Sequence, residues 1–181
     1  MFQQLKNIAS LQFGIYYKPE RNGDLLYLQN TNFNSDRPKA FLSKDTISPS
    51  HLLQDGDILI IAKGSRNTAS VYSKSTGDAV ASSLFFIIRL ENKQVLPEFL
   101  AYYLNDSKTQ SMLKKLSGAT TVPTLSKKDL MEISIPIPSL HQQKQIVSMM
   151  NQWEQEKNLT QTLIEKKDQL YASLFNQLIQ K

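Results

Sequence analysis

Ile133-Ser134-Ile135-Pro136-Ile137-Pro138-Ser139-Leu140-His141-Gln142-Gln143-Lys144-Gln145 is where this chain changes from extended backbone to helix. Ile133, Ile135 and Ile137 alternate with Ser134, Pro136 and Pro138. Proline has no backbone N–H to give to a ladder, so the segment reads as an extended or edge strand. Ser139 stands at an N-cap with Gln142 three residues on, the spacing at which each side chain satisfies an otherwise orphan amide of the other. From Leu140 to Lys181 there is neither glycine nor proline. At ~1.5 Å per residue an uninterrupted helix over that stretch is roughly 60 Å long, about twice the width of a small domain. The chain is therefore expected to be a body over residues 1–138 followed by one long helix over residues 139–181.

Counting along that helix with Ile146 at position a places Ile146, Met149, Trp153, Glu156, Thr160, Leu163, Lys167, Leu170, Leu174 and Gln177 at a and d. The apolar members are Ile146, Met149, Trp153, Leu163, Leu170 and Leu174, widened by Met150, Ile164, Tyr171, Phe175 and Leu178. Residues 154–162 form a polar waist. Such a stripe predicts coiled-coil pairing with a second helix. The alternative is folding back on its own body, but a body of about 138 residues is only about 30 Å across and covers about half of the helix.

With 181 residues and 40% hydrophobic content, the chain is long enough for one real core plus an appendage. It has no cysteine, which removes disulfides, thiolate metal sites and thiol nucleophiles and suits a reducing compartment. The longest apolar runs, Ile58 to Ala62 and Ser83 to Ile88, fall short of the ~20 residues that span a bilayer. Met1 to Leu11 is polar and lacks the apolar segment of a signal peptide. A cytoplasmic protein is expected.

The net charge is +5, and its distribution says more than its size. Between Asp57 and Asp78 lie Lys63, Arg66 and Lys74 with no acid; between Asp106 and Asp129 lie Lys108, Lys114, Lys115, Lys127 and Lys128, again with none. The helix instead mixes Glu154, Glu156, Glu165 and Asp168 with its lysines. A polyanion such as nucleic acid would bind the body. Lysine is also the ordinary solvated surface residue, and that reading stays open.

Taken in order, Leu5, Ile8 and Leu11 suggest a short amphipathic entry turn, and Leu25 to Leu28 a strand. Gln29, Asn30, Thr31, Asn32 and Asn34 follow, amides that can read adenine edges but are equally turn formers. Asp57 to Ala62 reads as a buried strand ending at Lys63-Gly64-Ser65-Arg66-Asn67, then a short strand from Ala69, a turn at Ser73 to Gly77 and a strand at Ser83 to Leu90. Short turns between strands imply an antiparallel or mixed sheet. Pro97 opens a helix carrying Leu100, Tyr103 and Leu104, a second runs from Ser107 to Leu116 and stops at Gly118, and Ser126 starts another. The fold class is α+β.

Asp78 with Glu91-Asn92-Lys93 has the acid and acid-x-lysine layout of a Mg²⁺-dependent nuclease, although the same residues compose an ordinary turn. Neither His51 nor His141 accompanies a strained serine turn, and none of the six glycines forms a phosphate-cradling loop.

Gly56-Asp57-Ile58-Leu59, Phe85-Phe86-Ile87-Ile88-Arg89, Pro97-Glu98-Phe99-Leu100 before Tyr103-Leu104, then Gly118 and Leu130, and above all Ile135-Pro136-Ile137-Pro138-Ser139-Leu140-His141-Gln142-Gln143-Lys144-Gln145-Ile146 resemble the specificity subunit of Type I restriction-modification systems. The resemblance spans most of the chain. It implies a DNA target recognition domain followed by a helix that acts as a ruler, and no catalysis by this chain. It also implies a partner methyltransferase subunit that uses S-adenosylmethionine on adenine, and a restriction and translocation subunit that can join. Family members carry two recognition domains and two helices, whereas this sequence carries one of each. A half-subunit working as an antiparallel homodimer is expected, the alternative being a truncated chain.

Recognition domains of this family vary in sequence, so DNA-facing residues are read from loop chemistry. They are Gln29, Asn30 and Asn32; Lys63, Arg66, Asn67 and Lys74 on one loop system; and Thr120, Thr121, Ser126, Lys127 and Lys128 on another. The helix pairs through Ile146, Met149, Trp153, Leu163, Leu170 and Leu174. No metal or cofactor of its own is expected. A DNA-binding regulator dimerising by its helix and the nuclease are the rival classes.

Overall fold

A computed structural model describes residues 1–20, 23–29, 40–64, 66–118 and 122–179 of the chain. It comprises two units, Met1–Gln143 and Lys144–Lys181. The first contains β1 (Phe2–Gln4), β2 (Ala9–Phe13), β3 (Leu25–Leu28), β4 (Ala40–Leu42), β5 (Ile58–Ile61), β6 (Ala69–Val71), β7 (Ala79–Ala81), β8 (Phe85–Leu90), α1 (Pro97–Asn105), α2 (Ser107–Leu116), α3 (Lys127–Met131) and β9 (Ser134–Pro136). Helix α4 (Leu140–Ile179) starts in the first unit and makes up the described part of the second.

The main sheet has the order β2-β8-β5-β6 and is antiparallel throughout. Its two inner strands are the two continuous apolar runs. Ile58, Leu59, Ile60 and Ile88 are fully buried, because an inner strand covered on both faces has no polar side to present. A smaller sheet, β4-β3-β7, pairs β3 with β4 antiparallel and with β7 parallel. Leu59, Phe85 and Ile87 of the main sheet pack with Tyr72, Ala79 and Ala81 in one cluster, and Leu25, Tyr27, Leu42, Ile47 and Val80 form a second. The Tyr27 hydroxyl donates to Ile15 O at 2.9 Å, and burial pushes its pKa above the ordinary phenol value.

Helix α1 starts with Pro97 at its first turn and buries Leu100 and Leu104. Its last residue, Asn105, accepts from Ala69 N–H at 2.9 Å and donates to Ala69 O at 2.7 Å, so one amide side chain satisfies the outer edge of β6 at that residue. Asp106 caps α2 by accepting from the Lys108 and Thr109 amides.

The decisive stretch adopts both of its states. β9 pairs antiparallel with β1, Ile135 opposite Gln3 and Pro136 opposite Phe2, in a two-stranded ladder that tolerates the prolines. Ser139 Oγ accepts from Gln142 N–H at 3.3 Å and Gln142 Oε1 accepts from Ser139 N–H at 3.1 Å, the reciprocal cap. One residue on, Gln143 is fully buried. Its Oε1 accepts from Leu96 N–H at 2.9 Å, and its Nε2 donates to Gln94 O at 2.8 Å and Pro138 O at 2.9 Å.

Two local expectations are corrected. Leu11 belongs not to an entry turn but to β2, paired with Ile88 in the main sheet, since its alternation with Ala9 matches a strand period. Strands β4 and β7 also went unread, each only three residues long; Ala79, Val80 and Ala81 are all buried and so show no alternation.

Candidate nucleic-acid interface

The antiparallel order of the main sheet gathers the end of β5, the start of β8 and the end of β2 at one edge of the body. Ile61 faces Phe85, and Phe13 faces Phe86. The chain leaves β5 into Ala62-Lys63-Gly64 there, and onto this loop a distant segment is fastened. Ala62 O accepts from Leu125 N–H at 2.8 Å, Pro123 O from Gly64 N–H at 2.9 Å, and Ser117 O from Thr124 N–H at 3.1 Å, with Lys63 and Thr124 bridged antiparallel. Gly64 at φ 121° and Gly118 at φ 77° occupy backbone conformations that L side chains rarely adopt. The loops after β5 and after α2 thus form one structure, and with them Lys63 of the first acid-free window meets the segment that leads into Lys127 and Lys128 of the second.

Lys63 and Arg66 are exposed at this end, as is Lys128 in the first turn of α3. Lys127 is exposed too, but its ammonium already donates to Leu11 O at 2.9 Å and lies 5.8 Å from the centre of the Phe13 ring. Gln29 follows β3 half-buried at the same end, next to Leu28, whose carbonyl accepts from Ser82 N–H at 2.8 Å. Asn30, Asn32, Thr120 and Thr121 lie outside the described residues.

Two of the DNA-facing expectations are corrected. Asn67 is only 2% exposed. Its amide donates to Ile61 O at 2.8 Å and its Oδ1 accepts from Ser117 Oγ at 3.4 Å, while its own carbonyl accepts from Gln110 Nε2 at 2.9 Å. It is the internal brace of the loop, unable to face a ligand. Lys74 does not share a loop system with Lys63. It sits at the opposite end of the β5–β6 ladder, at least about 10 Å of strand away, where its amide donates to Asp55 Oδ1 at 2.8 Å. Ser126 caps α3, accepting from Asp129 N–H at 3.1 Å and donating to Asp129 Oδ2 at 2.5 Å, and stays exposed.

Sequence reasoning missed Phe13, a large aromatic standing exposed beside Lys127. A strand whose last inward position is an aromatic just before a glycine was the available signal. Gly14 is needed because a Cβ there would collide with the Ser82 carbonyl.

At the far end of the main sheet, an open cleft of about 450 Å³ is lined by residues including Gln54, Asp57, Arg89, Asn92 and Lys93. Asp57, 1% exposed, accepts from Arg89 Nε at 2.8 Å, Arg89 Nη2 at 2.6 Å and Gln54 N–H at 2.8 Å. The carboxylate holds the Arg89 guanidinium above its ordinary pKa, and the pair neutralises itself. Asp78 pairs with Lys44 at 3.7 Å on the smaller sheet. Among the described residues no group of three or more histidines or carboxylates could hold a metal ion.

In the second unit, Met149, Trp153, Leu163, Leu170 and Leu174 are exposed along α4, with Ile164, Tyr171, Phe175 and Leu178 beside them. The polar waist pairs within the helix: Lys157 meets Glu154 at 2.7 Å and lies 5.9 Å from the Trp153 ring centre. Among the described residues no helix is long and apolar enough to cross a membrane.

Residues 17–167 match the family described as the Type I restriction modification DNA specificity domain. The chain is 28% identical over 103 residues to the Type I restriction enzyme MjaVIII specificity subunit of Methanocaldococcus jannaschii, a match covering 57% of this chain and 23% of that protein. Its fold is shared with the S subunit of a Type-I restriction-modification system from M. genitalium, at a TM-score of 0.65 and 18% identity over 91% of this chain and 41% of that one. The HsdS subunit from Thermoanaerobacter tengcongensis gives a TM-score of 0.62 at 20% identity, over 86% of this chain and 37% of that one. The chain thus spans less than a quarter of the curated relative and under half of either solved subunit.

Proposed function

Because this chain belongs to the family of Type I restriction modification DNA specificity domains, we propose that it recognises double-stranded DNA and directs a partner methyltransferase subunit to a bipartite site. A restriction subunit can join the same assembly. The observation that supports this is the fastening of Ala62, Lys63 and Gly64 to Pro123, Thr124 and Leu125, which brings Lys63 of one acid-free window close to the start of α3 with Lys127 and Lys128 of the other. Phosphate-binding cations position a protein on a duplex and fix its register.

The chain does no chemistry of its own: S-adenosylmethionine and the methyl transfer to adenine belong to the partner subunit, in the cytoplasm. One recognition body reads one half-site. Two copies pair through the apolar stripe of α4 as an antiparallel dimer, whose two-fold axis inverts one half-site relative to the other. The helix of 40 residues is about 60 Å long, so half-site centres lie no more than roughly 18 base pairs apart at 3.4 Å per pair.

Selection from a pool of random duplexes by the purified chain tests this. Enrichment of two short inverted half-sites around an unread spacer is expected; recovery of duplexes without any shared sequence would overturn it.

A further inference from the structure

Phe13 is 57% exposed although it shares the face of β2 that buries Ala9 and Leu11. Its ring is not loose. It meets Phe86, its register partner on β8 and only 5% exposed, edge to face with centroids 5.0 Å apart and planes at 77°. Just beyond it, Gly14 N–H donates to Phe85 O and Ile15 N–H to Ala81 O, each at 3.0 Å, so the backbone is pinned on the far side as well. The Lys127 ammonium lies over the ring at 5.8 Å and is itself held by Leu11 O at 2.9 Å. An ammonium has three donors. The two left after that bond are available to a phosphate next to whatever the ring touches.

A rigid, half-exposed aromatic with Lys127 over it has two ways to meet a duplex. It can wedge between base steps, which needs both ring faces free to lie against bases. Or it can lay an edge against the one apolar group that a base pair displays in the major groove, the thymine C5-methyl. Lys127 covers a face of this ring, which leaves the second. Building on the DNA-recognition reading above, we propose that Phe13 is a base-reading residue that selects a thymine in each half-site through its C5-methyl group.

The test starts from the duplexes that the wild-type chain selects, with each dT replaced in turn by dU, which removes the methyl and leaves the pairing edge intact. One dT per half-site is expected to lose about fourfold in affinity on replacement, the worth of one buried methyl. F13A should bind the dT and dU duplexes alike and select any base at that position, with the other positions unchanged. If F13A fails to fold, F13H, which keeps a ring on Phe86 but offers a polar edge in place of the apolar one, gives the same readout. A selected site with no methyl-sensitive dT, or a dT still methyl-sensitive in the folded variant, would overturn the proposal and leave DNA recognition standing. No selected sequence at all would remove both.

Discussion

Gly64 N–H donates to Pro123 O at 2.9 Å. That bond, with Leu125 N–H to Ala62 O at 2.8 Å beside it, makes a single surface of two loops that the sequence places far apart. The exposed Lys63 is thereby held close to the start of α3, where Lys127 and Lys128 lie.

Arg66→Ala is expected to weaken binding to the selected site by ~1 to 3 kcal/mol and to relax its sequence preference, if the guanidinium meets a guanine. Lys63→Ala and Lys128→Ala should weaken binding to every duplex and flatten the dependence of affinity on salt by about one charge each. Lys74→Ala, at the other end of the ladder, should change neither. Dissociation constants measured across a salt series separate these outcomes, and an effect of Lys74→Ala equal to that of Lys63→Ala would place the interface elsewhere.

Asn67→Ala should act on folding first. It strips Ile61 O of the Asn67 amide and leaves Ser117 Oγ with Leu113 O alone, in a buried setting, a loss of about 1 to 3 kcal/mol. Denaturant melts of the free protein read this directly. Unchanged stability with lost DNA binding would return Asn67 to the DNA-facing set.

Gln143→Leu leaves Leu96 N–H, Gln94 O and Pro138 O without their partner and should cost about 3 kcal/mol. Gln143→Glu sharpens the point, because an ionised carboxylate accepts from Leu96 but repels two carbonyls. Only the protonated acid can donate, so its folded pKa rises above the unfolded value of about 4.3. The variant should therefore come nearest to wild type below about pH 4 and lose stability as pH rises through the raised folded pKa. Melts from pH 4 to 7 showing the reverse slope would contradict the geometry.

Much of the fold was legible because local signals agreed with one another. The Ser139–Gln142 cap, the proline at the start of α1, the Ser126 start of α3 and the buried run of β5 each announce an element in its own residues. The short strands were not legible, since three residues carry too little pattern and β7 is held by its parallel partner β3. Charge spacing pointed to Lys63, Arg66 and Lys128, which stand exposed, whereas Asn67 is buried and Lys74 lies at the other end of the ladder. Whether a loop amide faces in or out depends on the partners brought to it, here Ser117 and Gln110 from another segment. Gln143 was visible as part of the motif; its burial depends on Gln94 and Leu96, which nothing in the stretch itself discloses.

Light scattering of the chain on two duplexes, one with inverted half-sites and one with a single half-site, tests paired recognition most directly. Two chains per full-site duplex, bound more tightly than to the half-site, are expected. Leu163→Asp combined with Leu170→Asp should give a folded monomer that binds both duplexes equally. A wild-type chain that stays monomeric at micromolar concentration and binds the full site as one copy, no tighter than the half-site, would contradict it.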